Sequence, residues 1–208
     1  MKSVRYKAIE LFLIFVLAPI SFTIAFPIWI KIALGLVGFV YVVYVLLRIE
    51  RLPIRPSKNL KWKSFWKQTF LHLMLIALIT ISYVWLTETD QLFRIMLEKS
   101  KLWILILFVY SLFSVYPQEL IYRTFFFHRY EDLIHNKRLF LLVNAALFSL
   151  AHIFFRNALV MGLTFIGGLL FALTFQRTRS TLMVSIEHAI YGCWLFTVGM
   201  GEMLGFPS

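Results

Sequence analysis

Five ionisable side chains lie in apolar stretches long enough to enter or cross a lipid bilayer: Glu119, Arg123, His152, Glu187 and His188. A charge at membrane depth costs at least about 2.5–3.5 kcal/mol on insertion scales. A chain that places several such groups on separate segments is expected to gather them at one interior site. There, the carboxylate and a histidine could take a proton from water. The second histidine could donate to the developing oxyanion.

Each of these side chains also has a structural interpretation. Glu119 and Arg123 are four residues apart and share a helix face, so they could form an ion pair that only fixes the helices. A single histidine in an apolar helix, such as His152, is more often a hydrogen-bonded packing residue. Glu187 points about 100° away from His188 on a helix. It is therefore expected to face either a neighbouring helix or the basic inner rim.

The same residue types suit a metal site. Two histidines and a glutamate can hold one zinc ion, and Glu119, His152 and His188 would be its ligands. The helical zinc signature His-Glu-x-x-His does not occur in the sequence. Residue spacing does not separate the zinc version of the site from the metal-free version.

Composition defines the class of protein that carries these residues. Of the 208 residues, 61% are hydrophobic and 15% are charged, against about 45–50% and 25% in a soluble domain. The chain is therefore predicted to be an integral membrane protein. Its net charge of +11 comes from basic residues in short segments between apolar runs. That distribution is typical of cytoplasmic loops and argues against nucleic-acid binding. The single cysteine, Cys193, excludes an intrachain disulfide.

Seven apolar runs approach the length of about 20 residues that a membrane-crossing helix needs. They cover residues 9–26, 28–47, 65–86, 102–127, 139–155, 158–175 and 181–200. The prediction is an all-α, polytopic transmembrane helical bundle. Residues 91–97 are a weak candidate for an eighth span and could instead lie at the membrane interface. If the N-terminus is cytoplasmic, the inner segments hold 15 basic residues and the outer segments hold 4. The longest inner segment is the basic loop 48–67. The positive-inside rule thus predicts a cytoplasmic N-terminus.

Three motifs resemble those of the CPBP family of intramembrane proteases, the CAAX protease and bacteriocin-processing family. They are Gln-Glu-Leu-Ile-Tyr-Arg at 118–123, Phe-Ser-Leu-Ala-His at 148–152 and His-Ala-Ile-Tyr-Gly at 188–192. The family pattern is Glu-Glu-x-x-x-Arg, Phe-x-x-x-His and His-x-x-x-Asn or Asp, in that order. The resemblance covers about residues 102–200, which would form the protease-like core. At a length of 208 residues, a single integral membrane domain over residues 1–208 is expected.

The resemblance also implies residue roles. Glu119 and Arg123 match the family's second glutamate and its arginine, and His152 and His188 match the catalytic and oxyanion histidines. Two positions depart from the pattern. Gln118 replaces the glutamate usually assigned to water activation, and an amide cannot act as a general base at neutral pH. The family's final Asn is Gly192 here.

Three functions follow from the motifs and their departures. The first is an active endopeptidase in which Glu119 takes over as the base, while Gln118 positions water or donates to the oxyanion. Its substrate would be a membrane-associated peptide or protein, and its location the bacterial plasma (inner) membrane. The second is a catalytically inactive relative that binds membrane peptides, as an immunity or scaffold protein. The third is a proton or solute transporter.

Overall fold

The computed structural model describes residues 3–52 and 61–205, which form helices joined by short turns. No residue in those two ranges belongs to a β-strand, which confirms the all-α prediction. Part of the predicted basic loop 48–67 falls on residues 53–60, which lie outside the described residues.

Six helices in the described part of the chain are long and apolar enough to cross a membrane, and they confirm an integral membrane protein. They are α2 (Ile28–Ile49), α3 (Trp62–Thr87), α4 (Ser100–Leu133), α5 (Lys137–Phe155), α6 (Ala158–Thr178) and α7 (Thr181–Val198). The helix α4 runs six residues past the end predicted for it. The boundaries of the other five agree with the predicted spans to within three residues.

The count of six differs from the predicted seven because of the N-terminal helix, α1. It consists of Val4–Phe12, Leu13–Leu17 and Ala18–Ser21, so it begins and ends five residues before the predicted span 9–26. This shift adds Arg5 and Lys7 to a helix that already holds Glu10, and α1 is not among the six apolar helices. The candidate eighth span is also wrong. A five-residue helix, Arg94–Glu98, occupies that region and is far too short to cross a bilayer.

Polar residues fix where the helices of the second half begin. Asn136 accepts hydrogen bonds from the backbone of Arg138 and Leu139, and Asn157 does the same for the first turn of α6. Ser180 caps α7 by accepting from Met183 N. These side chains satisfy backbone N–H groups that a helix end otherwise leaves unpaired.

The chain divides into two compact units. The first unit contains Met1–Pro56 and Gln118–Arg179. At its centre the fully buried ring of Phe15 meets Tyr122 and Phe126 edge-on, each at 5.2 Å between ring centroids. Aromatic pairs in this geometry stabilise beyond the area that they bury. The aromatic centre thus packs α1 against α4.

A buried ion network lies in the same unit. Nε of Arg129 donates to Glu10 at 2.7 Å, and its Nη1 donates to Glu50 at 2.7 Å. The hydroxyl groups of Tyr41 and Tyr130 also donate to Glu10. Because every charge in the network has a partner, the cost of burying it is reduced.

The second unit contains Ser57–Pro117 and Ser180–Ser208. Its helices α3 and α7 are joined by a hydrogen bond of 2.9 Å from Trp194 Nε1 to Thr80 Oγ1. Ile95, Ile106 and Phe196 form its apolar cluster. The single membrane domain expected from the length of the chain stays a prediction.

Candidate functional site

Glu119 and Arg123 form a fully buried ion pair in the first unit. Arg123 Nε lies 3.3 Å from Glu119 Oε2, and both side chains are 0% exposed. The four-residue spacing on α4 brings them together, as expected for a helix. Removing one member of such a pair costs about 3–5 kcal/mol, because it leaves an uncompensated buried charge.

A second helix holds the arginine through an amide. Arg123 Nη1 donates to Asn144 Oδ1 at 2.9 Å, and Asn144 Nδ2 donates to the Tyr122 carbonyl at 2.7 Å. Asn144 is 0% exposed. None of the three sequence motifs contains Asn144. The available signal was a lone amide in an apolar span, four and eight residues before Phe148 and His152.

The third contact to Arg123 comes from α6. Its Nη2 donates to the Gly168 carbonyl at 3.3 Å. A Cβ at position 168 would lie 3.2 Å from Ala145 Cα, tighter than most real contacts. Gly168 therefore permits α5 and α6 to approach closely, which is the usual role of small residues between membrane helices.

Phe148 connects the arginine to the histidine. Arg123 Cζ lies 4.7 Å from the centroid of the Phe148 ring, and the His152 ring lies 4.9 Å from the same centroid. Asn144, Phe148 and His152 are each four residues apart, so they follow one side of α5. The acid, its arginine and the histidine thus belong to one run of side-chain contacts.

His152 lies just past the regular part of α5, which ends at Leu150. Its Nδ1 is 2.8 Å from the Phe148 carbonyl oxygen. Because a carbonyl can only accept, Nδ1 carries the hydrogen of a neutral ring and Nε2 carries the lone pair. This arrangement fixes the tautomer that a general base or a metal ligand would need.

His188 lies in the second unit and is 6% exposed. Its ring centroid is 6.1 Å from that of Tyr110, with the two planes at 80°. Glu187 is also buried, and its Oε1 accepts from the Tyr191 hydroxyl at 3.0 Å and lies 3.8 Å from His72 Nδ1. Glu187 therefore faces a neighbouring helix, α3, and not the basic inner rim.

The structure thus brings Glu119, Arg123 and His152 into one unit and places His188 in the other. Gln118, half-buried, directly precedes Glu119. The convergence of Glu119, His152 and His188 on one pocket stays a prediction.

A zinc site held by Glu119, His152 and His188 stays a prediction. Within residues 3–52 and 61–205, no three His, Cys, Asp or Glu side chains are placed so that they could hold a metal ion.

Six apolar helices in the described part of the chain define a polytopic membrane protein. The run from the buried Glu119–Arg123 pair to the half-buried His152 is a candidate for acid–base chemistry. Residues 100–194 match the family described as type II CAAX prenyl endopeptidase Rce1-like. All three motifs lie inside the matched segment, and the match confirms the family resemblance. Comparison with curated proteins found no match, and comparison with solved structures found none either.

Proposed function

We propose that the protein is an intramembrane endopeptidase that hydrolyses a peptide bond of a membrane-associated peptide or protein, in or near the bilayer. The observation that carries the proposal is the contact run from Glu119 through Arg123 and Phe148 to His152. It joins two of the three family motifs. The match over residues 100–194 supports the reaction class.

In the proposed mechanism, Glu119 and His152 share the activation of a water molecule. The Glu119 carboxylate accepts one O–H hydrogen bond and orients the water, while Arg123 keeps the carboxylate in place. His152 Nε2 takes the proton as the water oxygen bonds to the substrate carbonyl carbon. When the C–N bond breaks, the imidazolium returns that proton to the leaving nitrogen, so the site ends in its starting state.

Two further residues have proposed roles: that of His188 is taken from the family resemblance, and that of Gln118 follows from the chemistry of its amide. His188 would donate a hydrogen bond to the oxyanion of the tetrahedral intermediate. Gln118 carries an amide that can donate through its NH₂ group and accept through its oxygen. It would position the water or add a second oxyanion donor. We also propose a location in the bacterial plasma membrane. The excess of basic residues in the predicted inner segments supports a cytoplasmic N-terminus.

A catalytically inactive relative that binds membrane peptides is the second candidate. The amide at Gln118 favours it, because the family's usual base is absent from that position. The buried Glu119–Arg123 pair would then serve only to stabilise the helices, and a bound peptide would be held without being cleaved.

One experiment separates the two candidates. The full chain is reconstituted in proteoliposomes with a library of quenched-fluorescent peptides that end in a hydrophobic anchor, and products are sequenced by mass spectrometry. Cleavage by the wild type supports the endopeptidase. Cleavage by Gln118→Glu alone supports the inactive relative. No cleavage by either protein overturns the proposed peptidase chemistry.

A further inference from the structure

The phenol of Tyr110 occupies the space where Gly192 lacks a side chain. A Cβ added at position 192 would lie 2.5 Å from Cε1 and Cζ of Tyr110, and closer still to its hydroxyl oxygen. Real Cβ atoms essentially never show contacts this short. Any residue other than glycine at position 192 would therefore displace the Tyr110 ring.

The ring of Tyr110 also packs against an aromatic neighbour, Phe196. Its centroid lies 4.8 Å from that of Phe196, with the planes at 83°. Tyr110 also packs against the apolar cluster formed by Ile95, Ile106 and Phe196. An aromatic ring fixed by packing carries its hydroxyl group at a defined place, which is what a pre-organised hydrogen-bond donor requires.

The donor lies beside a histidine. His188 precedes Gly192 by four residues on α7, so both positions share a helix face. Because Tyr110 contacts the backbone at Gly192 and lies 6.1 Å from the His188 ring, its phenol and the imidazole occupy adjacent places along that face.

We infer that the Tyr110 hydroxyl is a second oxyanion donor beside His188, and that Gly192 is required to admit it. The inference rests on the proposed endopeptidase function. A phenol donates one O–H hydrogen bond and remains neutral. It would stabilise the negative charge that develops on the substrate carbonyl oxygen and take no part in moving the proton of the water. Tyr110 would thereby supply the donor that is missing with glycine at position 192.

The test measures kcat and KM in the peptide assay, using whichever of the wild type and Gln118→Glu cleaves as the parent. Tyr110→Phe should lower kcat by about 10²–10³-fold with KM unchanged, the loss typical of removing one oxyanion donor. Tyr116→Phe is the matched control, because it removes an exposed hydroxyl six residues further along. It should leave kcat unchanged.

A rescue variant distinguishes a donor from a packing residue. Gly192→Ala should reproduce the loss in kcat by displacing the ring. The double variant Tyr110→Ala with Gly192→Asn should recover at least about tenfold over Tyr110→Ala alone, since an amide N–H then replaces the phenol O–H. If Tyr110→Phe is unstable, this rescue still tests whether Tyr110 acts as a hydrogen-bond donor.

The outcomes distinguish a failure of the proposed endopeptidase function from a failure of the donor role of Tyr110. If neither parent cleaves, the endopeptidase and this inference both fail. If the parent cleaves and Tyr110→Phe keeps its kcat, the role of Tyr110 as a donor is overturned. The endopeptidase still stands when that parent is the wild type. The donor role is also overturned if Gly192→Asn fails to rescue Tyr110→Ala.

Discussion

The carbonyl oxygen of Phe148 lies 2.8 Å from Nδ1 of His152. This single contact fixes the chemistry that the histidine can perform, because it requires the hydrogen of a neutral ring on Nδ1 and leaves the lone pair on Nε2. Phe148 thus acts twice: its ring meets Arg123, and its backbone orients the proposed base.

The tautomer of His152 is directly observable. In proteoliposomes of ¹⁵N-histidine-labelled protein near neutral pH, solid-state NMR should show a protonated Nδ1 and an unprotonated Nε2 for this residue. His152→Ala assigns the signal by removing it. A neutral ring with its hydrogen on Nε2 would contradict the proposed role, since Nε2 could not then take a proton from water.

Asn144 is predicted to stabilise the protein through the buried guanidinium. Asn144→Leu keeps a similar volume but removes one acceptor from Arg123 and one donor from the Tyr122 carbonyl. An unsatisfied buried polar group costs about 1–3 kcal/mol. The Tm should therefore fall by about 2–4 °C for each kcal/mol lost.

The measurement is thermal unfolding in detergent. Leu142→Ala is the control, because Leu142 is an exposed residue of the same helix. It should unfold close to the wild type. A Tm for Asn144→Leu equal to that of the control would show that the hydrogen bonds of Asn144 add nothing to stability.

The Glu119–Arg123 pair should separate stability from activity. Arg123→Met alone leaves a buried carboxylate without its charged partner and should destabilise by about 3–5 kcal/mol. The double variant Glu119→Leu with Arg123→Met removes both charges and should recover most of that loss. The double variant should not cleave peptides, because it lacks the Glu119 carboxylate. Cleavage by the double variant would exclude Glu119 from the reaction.

The buried network around Glu10 should matter more than an exposed ion pair of the same type. Glu10→Gln weakens two contacts to Arg129 and should destabilise by several kcal/mol. Glu98→Gln breaks the exposed pair with Arg94 and should cost less than about 1 kcal/mol. Thermal unfolding compares the two variants, and equal losses would show that burial gives the network no special weight.

Hydropathy was sufficient to predict six of the helices, because a bilayer requires long apolar segments whatever their neighbours are. It failed for α1, where Arg5, Lys7 and Glu10 lie within the helix. Glu10 is buried among hydrogen-bond donors from other helices, which no local pattern reveals.

In the candidate site, too, contacts within one helix could be predicted from the sequence, and contacts between helices could not. The spacing within one helix predicted the Glu119–Arg123 pair. The contacts of Asn144 and Tyr110 join residues far apart in the sequence, and they depend on how each helix is rotated about its axis. That rotation is set by packing between helices, so these two residues could not be assigned from local sequence.

The most direct test of the account compares two histidine variants in the peptide assay, in the parent that cleaves. His152→Ala removes the proposed base, and His135→Ala removes an exposed histidine in the turn before α5. We expect cleavage by His152→Ala to fall by at least about 10²-fold, while His135→Ala cleaves at the parent's rate. Equal rates for His152→Ala and its parent would contradict water activation by His152.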